Sequence, residues 1–262
     1  MPDKQPKVLL SLGRTGDLVN CLAIARHFAA PTIPFAYCAS HTNLMLSAPY
    51  VERVPLRIPP NSIDRAMAIL TPRFESVVNL HCFGPHYRGS TEHPHNVRSF
   101  LEAGLTVDNF YDRAGFPLVF KRDADREAFL VKRHIRGNKP VIALAIGCAH
   151  SSPFASHRIL SDSIRRTFPH AEVVDLCRIN APRFADLLGI LDRSVCLVTA
   201  DSGIMHLASA TSTPVIYLHG ENPITVAEPR YKPALRMRYS EAVRRAREVH
   251  STLLNFLIDH RQ

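Results

Sequence analysis

The sequence predicts an α/β chain of two halves, each built on a parallel sheet. Three observations carry that prediction. The strand candidates at 195–199 and 215–218 are apolar without polar alternation, as strands covered on both faces are. Strand and helix candidates alternate along the chain, which is the pattern of βαβ crossovers. Two glycine-bearing turns, Gly13-Arg14-Thr15-Gly16-Asp17 and Asp201-Ser202-Gly203, directly follow strands. Such turns lie at the carboxyl edge of a parallel sheet, where open α/β folds bind ligands. Each half is therefore expected to be Rossmann-like.

Composition agrees. The 262 residues are enough for two such halves, and 46% apolar residues is ample for their cores. No apolar run reaches the ~18 residues of a membrane-spanning helix. The N-terminal MPDKQPKVLLSLG enters a short strand without the apolar core of a secretion signal, so a cytoplasmic location is expected. Cys21, Cys38, Cys82, Cys148, Cys177 and Cys196 form no C-x-x-C pair. They are expected to be reduced, neither a disulfide frame nor a zinc site. The net charge of +9 favours an acidic partner: a sugar nucleotide, a phosphorylated glycolipid, an anionic membrane surface or a nucleic acid.

The first half opens with a strand at 8–11. The glycine turn 13–17 follows, then a helix at 18–28 with Leu18, Leu22, Ala25 and Phe28 at helical spacing. The turn is neither a P-loop, since no Lys follows the glycines, nor a G-x-G-x-x-G dinucleotide fingerprint. Further strands are expected at 35–39, 54–56 and 77–80, with helical stretches at 42–47 and 63–70 between them. The loop after Leu80 holds His81, Cys82, His86, His93 and His95, but their spacing fits no standard metal site. It reads instead as a loop shaping a pocket, with His81, Arg88 and Arg98 as candidate contacts to an anionic group. A helix is expected at 98–105, irregular chain at 106–122, and an amphipathic helix at 123–135 with Ala128, Val131 and Ile135 on its core side. Gly137-Asn138-Lys139-Pro140 breaks the chain. The domains are therefore set at 1–138 and 139–238, with a basic amphipathic helix at 239–262.

The second half begins with the strand ending at Gly147. A polar loop, a helix at 160–167, a strand at 171–175 and a helix at 181–191 follow, the last with Leu187, Leu188 and Leu191 as its core face. Then comes the unit at 195–220: strand, Asp201-Ser202-Gly203, a helix of small residues at 204–210, and a strand at 215–218. Strand, helix, strand at this spacing predicts two parallel strands. Ser202 and Gly203 can present backbone N–H groups to a phosphate, Gly203 leaves room for close approach, and His206 lies one turn on. Asp201 could equally be a helix cap. The final helix carries Val243, Ala246, Val249, Leu253 and Leu257 at helical spacing. Arg244, Arg245 and Arg247 occupy its polar face, and Arg244–Glu248 is expected to pair.

Asp201-Ser202-Gly203 with His206, Ala208, Ala210, Pro214 and Gly220 resembles the donor-binding segment of the heptosyltransferase-like glycosyltransferases, glycosyltransferase family nine. Gly13, Gly16 and Asp17 resemble that family's N-terminal G-x-x-G-D signature, whose Asp is its proposed general base. Gly147-Cys148-Ala149-His150-Ser151 and Ser156-His157-Arg158-Ile159 are similar to its third segment. Arg158 stands for the family's Arg, His157 replaces the usual Lys, and Ile159 replaces the usual Trp. The family's Pro-rich loop near the donor nucleoside corresponds to the stretch beginning Glu221-Asn222-Pro223.

The resemblance implies a GT-B architecture, two Rossmann-like domains whose parallel sheets face a central cleft. The first would carry the acceptor side and the base, the second the donor. It implies an inverting, metal-independent transfer without a cofactor, from a nucleotide diphosphate-sugar to a hydroxyl of an anionic acceptor. Asp17 would be the base. Gly147, Ser151, Arg158, Asp201, Ser202, Gly203, His206 and Glu221 would serve the donor; Gly13, Arg14, Gly16, His81 and Arg88 the turn and acceptor side. Three functions fit: transfer to a lipopolysaccharide-core type glycan, with peripheral contact at the inner face of the membrane; transfer to hydroxylated bases of DNA; or a non-catalytic module binding a nucleotide-sugar or polyanion.

Overall fold

The computed structural model describes residues 5–28, 33–82, 92–147, 157–219, 229–231 and 233–259. The chain divides into two compact units, Met1–Lys121 and Arg122–Gln262. The division falls before the helix at 124–134, where the sequence placed it after that helix.

The first unit contains β1 (Gln5–Ser11), α1 (Thr15–Phe28), β2 (Phe35–Cys38), α2 (Thr42–Met45), β3 (Arg53–Leu56), α3 (Ile63–Leu70), β4 (Phe74–Asn79), α4 (His95–Glu102) and α5 (Val107–Tyr111). Its sheet order is β3-β2-β1-β4, all parallel, with Leu10 opposite Ala36 on one side and Asn79 on the other. Leu10 and Val8 face a core with Ala36, Val54 and Leu56, closed by Ile63, Ala66 and Leu70 of α3. Those three recur on one helix face, which fixes how α3 lies on the sheet. Leu9 is buried too, so β1 is covered on both faces. Helix α5 stands where irregular chain is expected; Thr106 caps it and forms a capping box with Asn109.

The second unit contains α6 (Ala124–His134), β5 (Val141–Ala145), α7 (His157–Thr167), β6 (Glu172–Asp175), α8 (Leu188–Asp192), β7 (Ser194–Ala200), α9 (Gly203–Leu207), β8 (Val215–His219), β9 (Leu235–Arg238), α10 (Tyr239–Arg244) and α11 (Ala246–Asp259). The sheet order is β6-β5-β7-β8-β9, again all parallel. Ile142, Leu144, Val198, Ile216 and Leu218 form the core, covered by Leu160 and Ile164 of α7 and by Ala242, Val249, Leu253 and Leu257 of the last two helices. The C-terminal segment is thus part of this unit's core and not a separate element. It is two helices, because the chain leaves helical geometry at Arg245. The expected Arg244–Glu248 pair is replaced by Arg245–Glu248, with Nε donating to Oε1 at 2.8 Å. The expected helix at 181–191 is a 3-10 turn at Phe184–Leu187 followed by α8, with Leu187, Leu188 and Leu191 buried as predicted.

Helix α6 keeps part of the predicted core side, with Ile135 buried and Val131 half-buried, but its buried face extends toward Glu127. Glu127 and Leu130 are buried while Ala128 is exposed. Two contacts explain it. A Cβ on Gly189 of α8 would stand 2.7 Å from the Glu127 Cβ, so glycine lets the helices meet there. Arg122 Nε then donates to the Glu127 carboxylate at 2.6 Å, which satisfies the buried charge. Cys21, Cys38, Cys82 and Cys196 are free and buried. Cys177 is disulfide-bonded, which corrects the expectation of six reduced cysteines.

Candidate active site

In the first unit β1 and β4 are neighbours, and the chain leaves β1 toward β2 on the opposite side. The carboxyl ends of β1 and β4 therefore flank the point where strand order reverses, the usual ligand crevice of such a sheet. Helix α1 starts at Thr15, which places Asp17 in its first turn. There Asp17 Oδ2 accepts the backbone N–H of Arg14 at 2.8 Å. Gly13 makes this fold-back available: a Cβ on it would stand 2.6 Å from Asp17 Oδ2. Gly16 lends its carbonyl to Asn20 Nδ2 at 3.2 Å, and the Arg14 side chain is exposed.

The other carboxylate oxygen of Asp17 meets His95, with Nε2 2.8 Å from Oδ1. A chain of contacts sets this pair. Leu80 N–H donates to the Leu10 carbonyl at 2.8 Å, carrying the β1–β4 ladder past the end of the strand. Ser99 Oγ donates to the Leu80 carbonyl at 2.8 Å, with a longer contact of 3.2 Å to the His95 carbonyl. Helix α4 is thereby fastened to the end of β4, and its first residue lands on Asp17. The two side chains are 17% and 16% exposed, so the pair is sheltered but still open to a small molecule.

Two thiols feel the charge of this carboxylate. Burial pushes the Cys82 thiol up to about 12 and raises Cys21 further, which keeps both protonated and unreactive. Burial lowers His41, and the Asp17 charge partly offsets that. His81 is buried, its backbone N–H donating to Asn79 Oδ1 at 3.0 Å. Arg98 is 6% exposed and belongs to α4, not to the loop before it. Arg88, like His86, lies outside the described residues. Among the described residues, no three His, Cys, Asp or Glu are grouped to hold a metal.

In the second unit the order β6-β5-β7 places the equivalent crevice at the ends of β5 and β7. Thr199 ties the two ends together. Its Oγ1 lies 3.3 Å from the Ala145 carbonyl, 2.8 Å from the Ala200 carbonyl and 3.2 Å from Ser202 Oγ. Ser202, not Asp201, caps α9, with Oγ accepting from Met205 N–H at 3.3 Å. That leaves Asp201 half-buried on the turn itself. His206 is 2% exposed and is a packed residue of α9, its carbonyl accepting from Ser209 Oγ at 2.6 Å. Gly147 sits exposed at the end of β5, and Arg158 is exposed in the first turn of α7. Ser151 and Glu221 lie outside the described residues, as does Asn222. The sequence reading missed Arg230, a fully buried cation. Its neighbour Tyr231 donates from its hydroxyl to the Met205 carbonyl of α9 at 3.2 Å, so this segment returns to the same turn. Nothing local in a proline-rich stretch marks that return.

Residues 164–251, from α7 through the turn to α11, match the family model of glycosyltransferase family 9 (heptosyltransferase). The chain is similar to the heptosyltransferases. Solved structures agree on the fold. The E. coli ADP-heptose LPS heptosyltransferase II superposes with a TM-score of 0.66 at 14% identity, covering 98% of this chain and 100% of that one. A family 9 glycosyltransferase from Veillonella parvula gives 0.64 at 13% identity, covering 99% of each. The iron-containing dodecameric glycosyltransferase TibC from E. coli H10407 gives 0.57 at 12% identity, covering 89% of this chain and 64% of that one. A comparison with the curated proteins finds no match. The two parallel sheets of this heptosyltransferase-like chain are those of the GT-B architecture expected from the sequence. No helix of the described residues is long and apolar enough to cross a membrane.

Proposed function

We propose that the protein is an inverting glycosyltransferase that moves a sugar from a nucleotide diphosphate-sugar to a hydroxyl of an anionic acceptor. The acceptor class is a phosphorylated glycan of the lipopolysaccharide-core type. One observation carries the reading: the family 9 match spans the Asp201-Ser202-Gly203 turn, and that turn stands at the strand-order reversal of its sheet.

The second unit holds the donor. Asp201 is anionic and accepts from a sugar or ribose hydroxyl. The Ser202 hydroxyl already caps α9, so the backbone of the turn and the exposed Arg158 are left to meet the diphosphate. Fixed positive groups of this kind stabilise charge on the departing nucleoside diphosphate. Asp17 takes the proton from the acceptor hydroxyl as its oxygen bonds to the anomeric carbon. The bond from that carbon to the diphosphate breaks, and the configuration inverts. His95, on the far oxygen of Asp17, keeps the carboxylate aimed. The transfer is read as independent of metal and cofactor, and activity in excess EDTA tests that.

A donor panel tests the whole. The protein is incubated with ADP-, UDP-, GDP- and CMP-sugars, and thermal stabilisation and nucleotide release are followed with and without a core oligosaccharide. A donor at a hundred times its Kd should stabilise the fold by about 2.7 kcal/mol. Release should depend on the acceptor. Stabilisation by no donor would overturn the reading, and release driven by DNA in place of glycan would move the acceptor class.

A further inference from the structure

Beside the Asp17 turn, the loops after β2 and β3 bring two further polar residues, His41 and Asn61, to the same sheet edge. Ser11 of β1 lies opposite Tyr37 of β2, and Cys38 of β2 opposite Leu56 of β3. The chain therefore leaves the three strands at nearly one level. A 3-10 turn, Ala39–His41, follows β2 directly, and Thr42 Oγ1 donates to the Ala39 carbonyl at 2.7 Å to close it. His41 is the last residue of that turn. The loop after β3 reaches across to the end of β1, where the Asn61 backbone N–H donates to the Leu12 carbonyl at 3.3 Å. Asn61 makes this approach at φ 64°, in the left-handed region that Asn enters more readily than most side chains. Leu12 immediately precedes Gly13, so the loop borders the turn that carries Asp17. The Asp17 charge acts on the His41 ring, which sets those two within electrostatic reach.

His41 is half-buried and Asn61 exposed, and among the described residues neither side chain has a hydrogen-bond partner. His95, on the β4 side of Asp17, is already committed to the carboxylate. Asp17 thus has an engaged imidazole toward β4, and an unengaged imidazole and amide toward β2 and β3. Burial holds His41 below its ordinary pKa, with the Asp17 charge offsetting part of the shift, so the ring is neutral at neutral pH. A neutral imidazole offers one donor and one acceptor, and a carboxamide offers both kinds as well. Neither is a cation suited to a phosphate. Both match a group that donates and accepts at once, which is a hydroxyl.

We propose that His41 and Asn61 select the acceptor by binding hydroxyls next to the one that Asp17 deprotonates. This rests on the transferase reading above. The acceptor is then a polyol, a sugar ring with adjacent hydroxyls, and not a lone hydroxyl such as that of a hydroxymethylated base. Hydrogen bonds to the flanking hydroxyls turn the nucleophilic oxygen toward Asp17 and hold it there. His41 and Asn61 take no proton in the transfer; they decide which molecule presents one.

Steady-state kinetics of the full-length protein tests this, with a core oligosaccharide as acceptor and the nucleotide-sugar that stabilises the fold as donor. His41→Ala should raise the acceptor KM about tenfold while the donor KM stays level. His41→Gln keeps a neutral donor and acceptor and should recover most of that loss. Asn61→Gly keeps the left-handed backbone, removes only the amide and should raise the acceptor KM about fivefold. Melting temperatures matching the wild type will show that the variants are folded. DNA carrying hydroxymethylated cytosine, which presents a lone hydroxyl, should not serve as acceptor. An unchanged acceptor KM in either His41→Ala or Asn61→Gly overturns the assignment of that residue. A donor KM that rises in step with the acceptor KM overturns it too, because a general disturbance of the fold would then explain the loss. Wild-type transfer to the DNA as efficient as to the oligosaccharide overturns the polyol requirement. A wild type that binds a donor and transfers to neither acceptor, or that binds no donor, fails the transferase reading itself and takes this assignment with it.

Discussion

His95 Nε2 sits 2.8 Å from Asp17 Oδ1, and the residues are 78 apart in sequence. Together with the Arg14 N–H on Oδ2, this fixes the carboxylate plane from both sides. General-base catalysis contributes about 10²–10⁴-fold, so Asp17→Ala should lose transfer by that factor while donor affinity stays level. His95→Ala leaves the base in place but loosely held, and about a tenfold loss in kcat is expected, equal to ~1.4 kcal/mol. His95→Gln keeps a donor and should recover part of it. Steady-state kinetics with a donor titration separates these outcomes. Normal transfer by Asp17→Ala removes Asp17 as the base.

Gly13 is set by the same carboxylate. In Gly13→Ala the new methyl group collides with the Asp17 side chain, whose Oδ2 would lie 2.6 Å away. Either Asp17 swings off the turn or the first turn of α1 shifts. Overpacking of this kind costs about 1–3 kcal/mol. The variant should melt earlier and lose kcat as Asp17→Ala does, with donor-induced stabilisation intact. An active, equally stable Gly13→Ala would show that the fold-back has no function.

Much of the fold was legible because its central strands are covered on both faces. The runs at β1, β5, β7 and β8 have no polar alternation to confuse them. β9 was missed for the opposite reason. Leu235 and Met237 point one way, Arg236 and Arg238 the other, and four residues of alternation at a sheet edge look like a basic loop. Glu127 of α6 does not read as a core residue because its burial depends on Arg122 and on Gly189. Asp17 and the 201–203 turn stood out through local motifs. Their partners did not: His95 reaches Asp17 only once Ser99 has pinned α4 to Leu80. In the sequence His95 is one histidine among several in a loop.

The Arg122–Glu127 pair explains why α6 belongs to the second unit. Arg122 Nη2 also donates to Asp192 of α8 at 2.7 Å, so one guanidinium joins α6 to α8. Its hydrogen bonds to Glu127 and Asp192 raise its pKa, so it stays charged. Arg122→Ala leaves a buried carboxylate without this partner and should cost about 1–3 kcal/mol. Glu127→Gln should then cost less in the Arg122→Ala background than in the wild type. Additive losses in urea denaturation would show the two residues to be uncoupled.

His250 gives a pH signature. Its ring nitrogens lie 3.3 Å from Ser163 Oγ and 3.4 Å from Thr167 Oγ1, and its ring packs edge-on against Phe168. Burial holds its pKa below the ordinary 6.5. The unfolded chain therefore takes up the proton first as pH falls. The contribution to stability is full above about 6.5 and is lost as pH drops through the folded value. His41 is lowered in the same sense, so His250→Gln should flatten only part of the slope. Melting curves across that range for both proteins decide it; parallel curves exclude His250 as a source.

The donor turn rests on Thr199, whose hydroxyl touches Ala145 of β5, the Ala200 carbonyl and Ser202. Ser202→Ala and Thr199→Val separate cap from scaffold. Ser202→Ala removes the hydroxyl on Met205 N–H and should cost about 1 kcal/mol of stability. Thr199→Val keeps the cap and the packing volume but drops the contact between the ends of β5 and β7. If that contact positions the turn, Thr199→Val should weaken donor binding more than Ser202→Ala at similar or smaller cost in melting temperature. Asp201→Ala should weaken donor binding while leaving the α9 cap in place, because the cap belongs to Ser202. Donor affinities that simply track melting temperature across all three variants would mean that the turn is a structural element and that the nucleotide binds elsewhere.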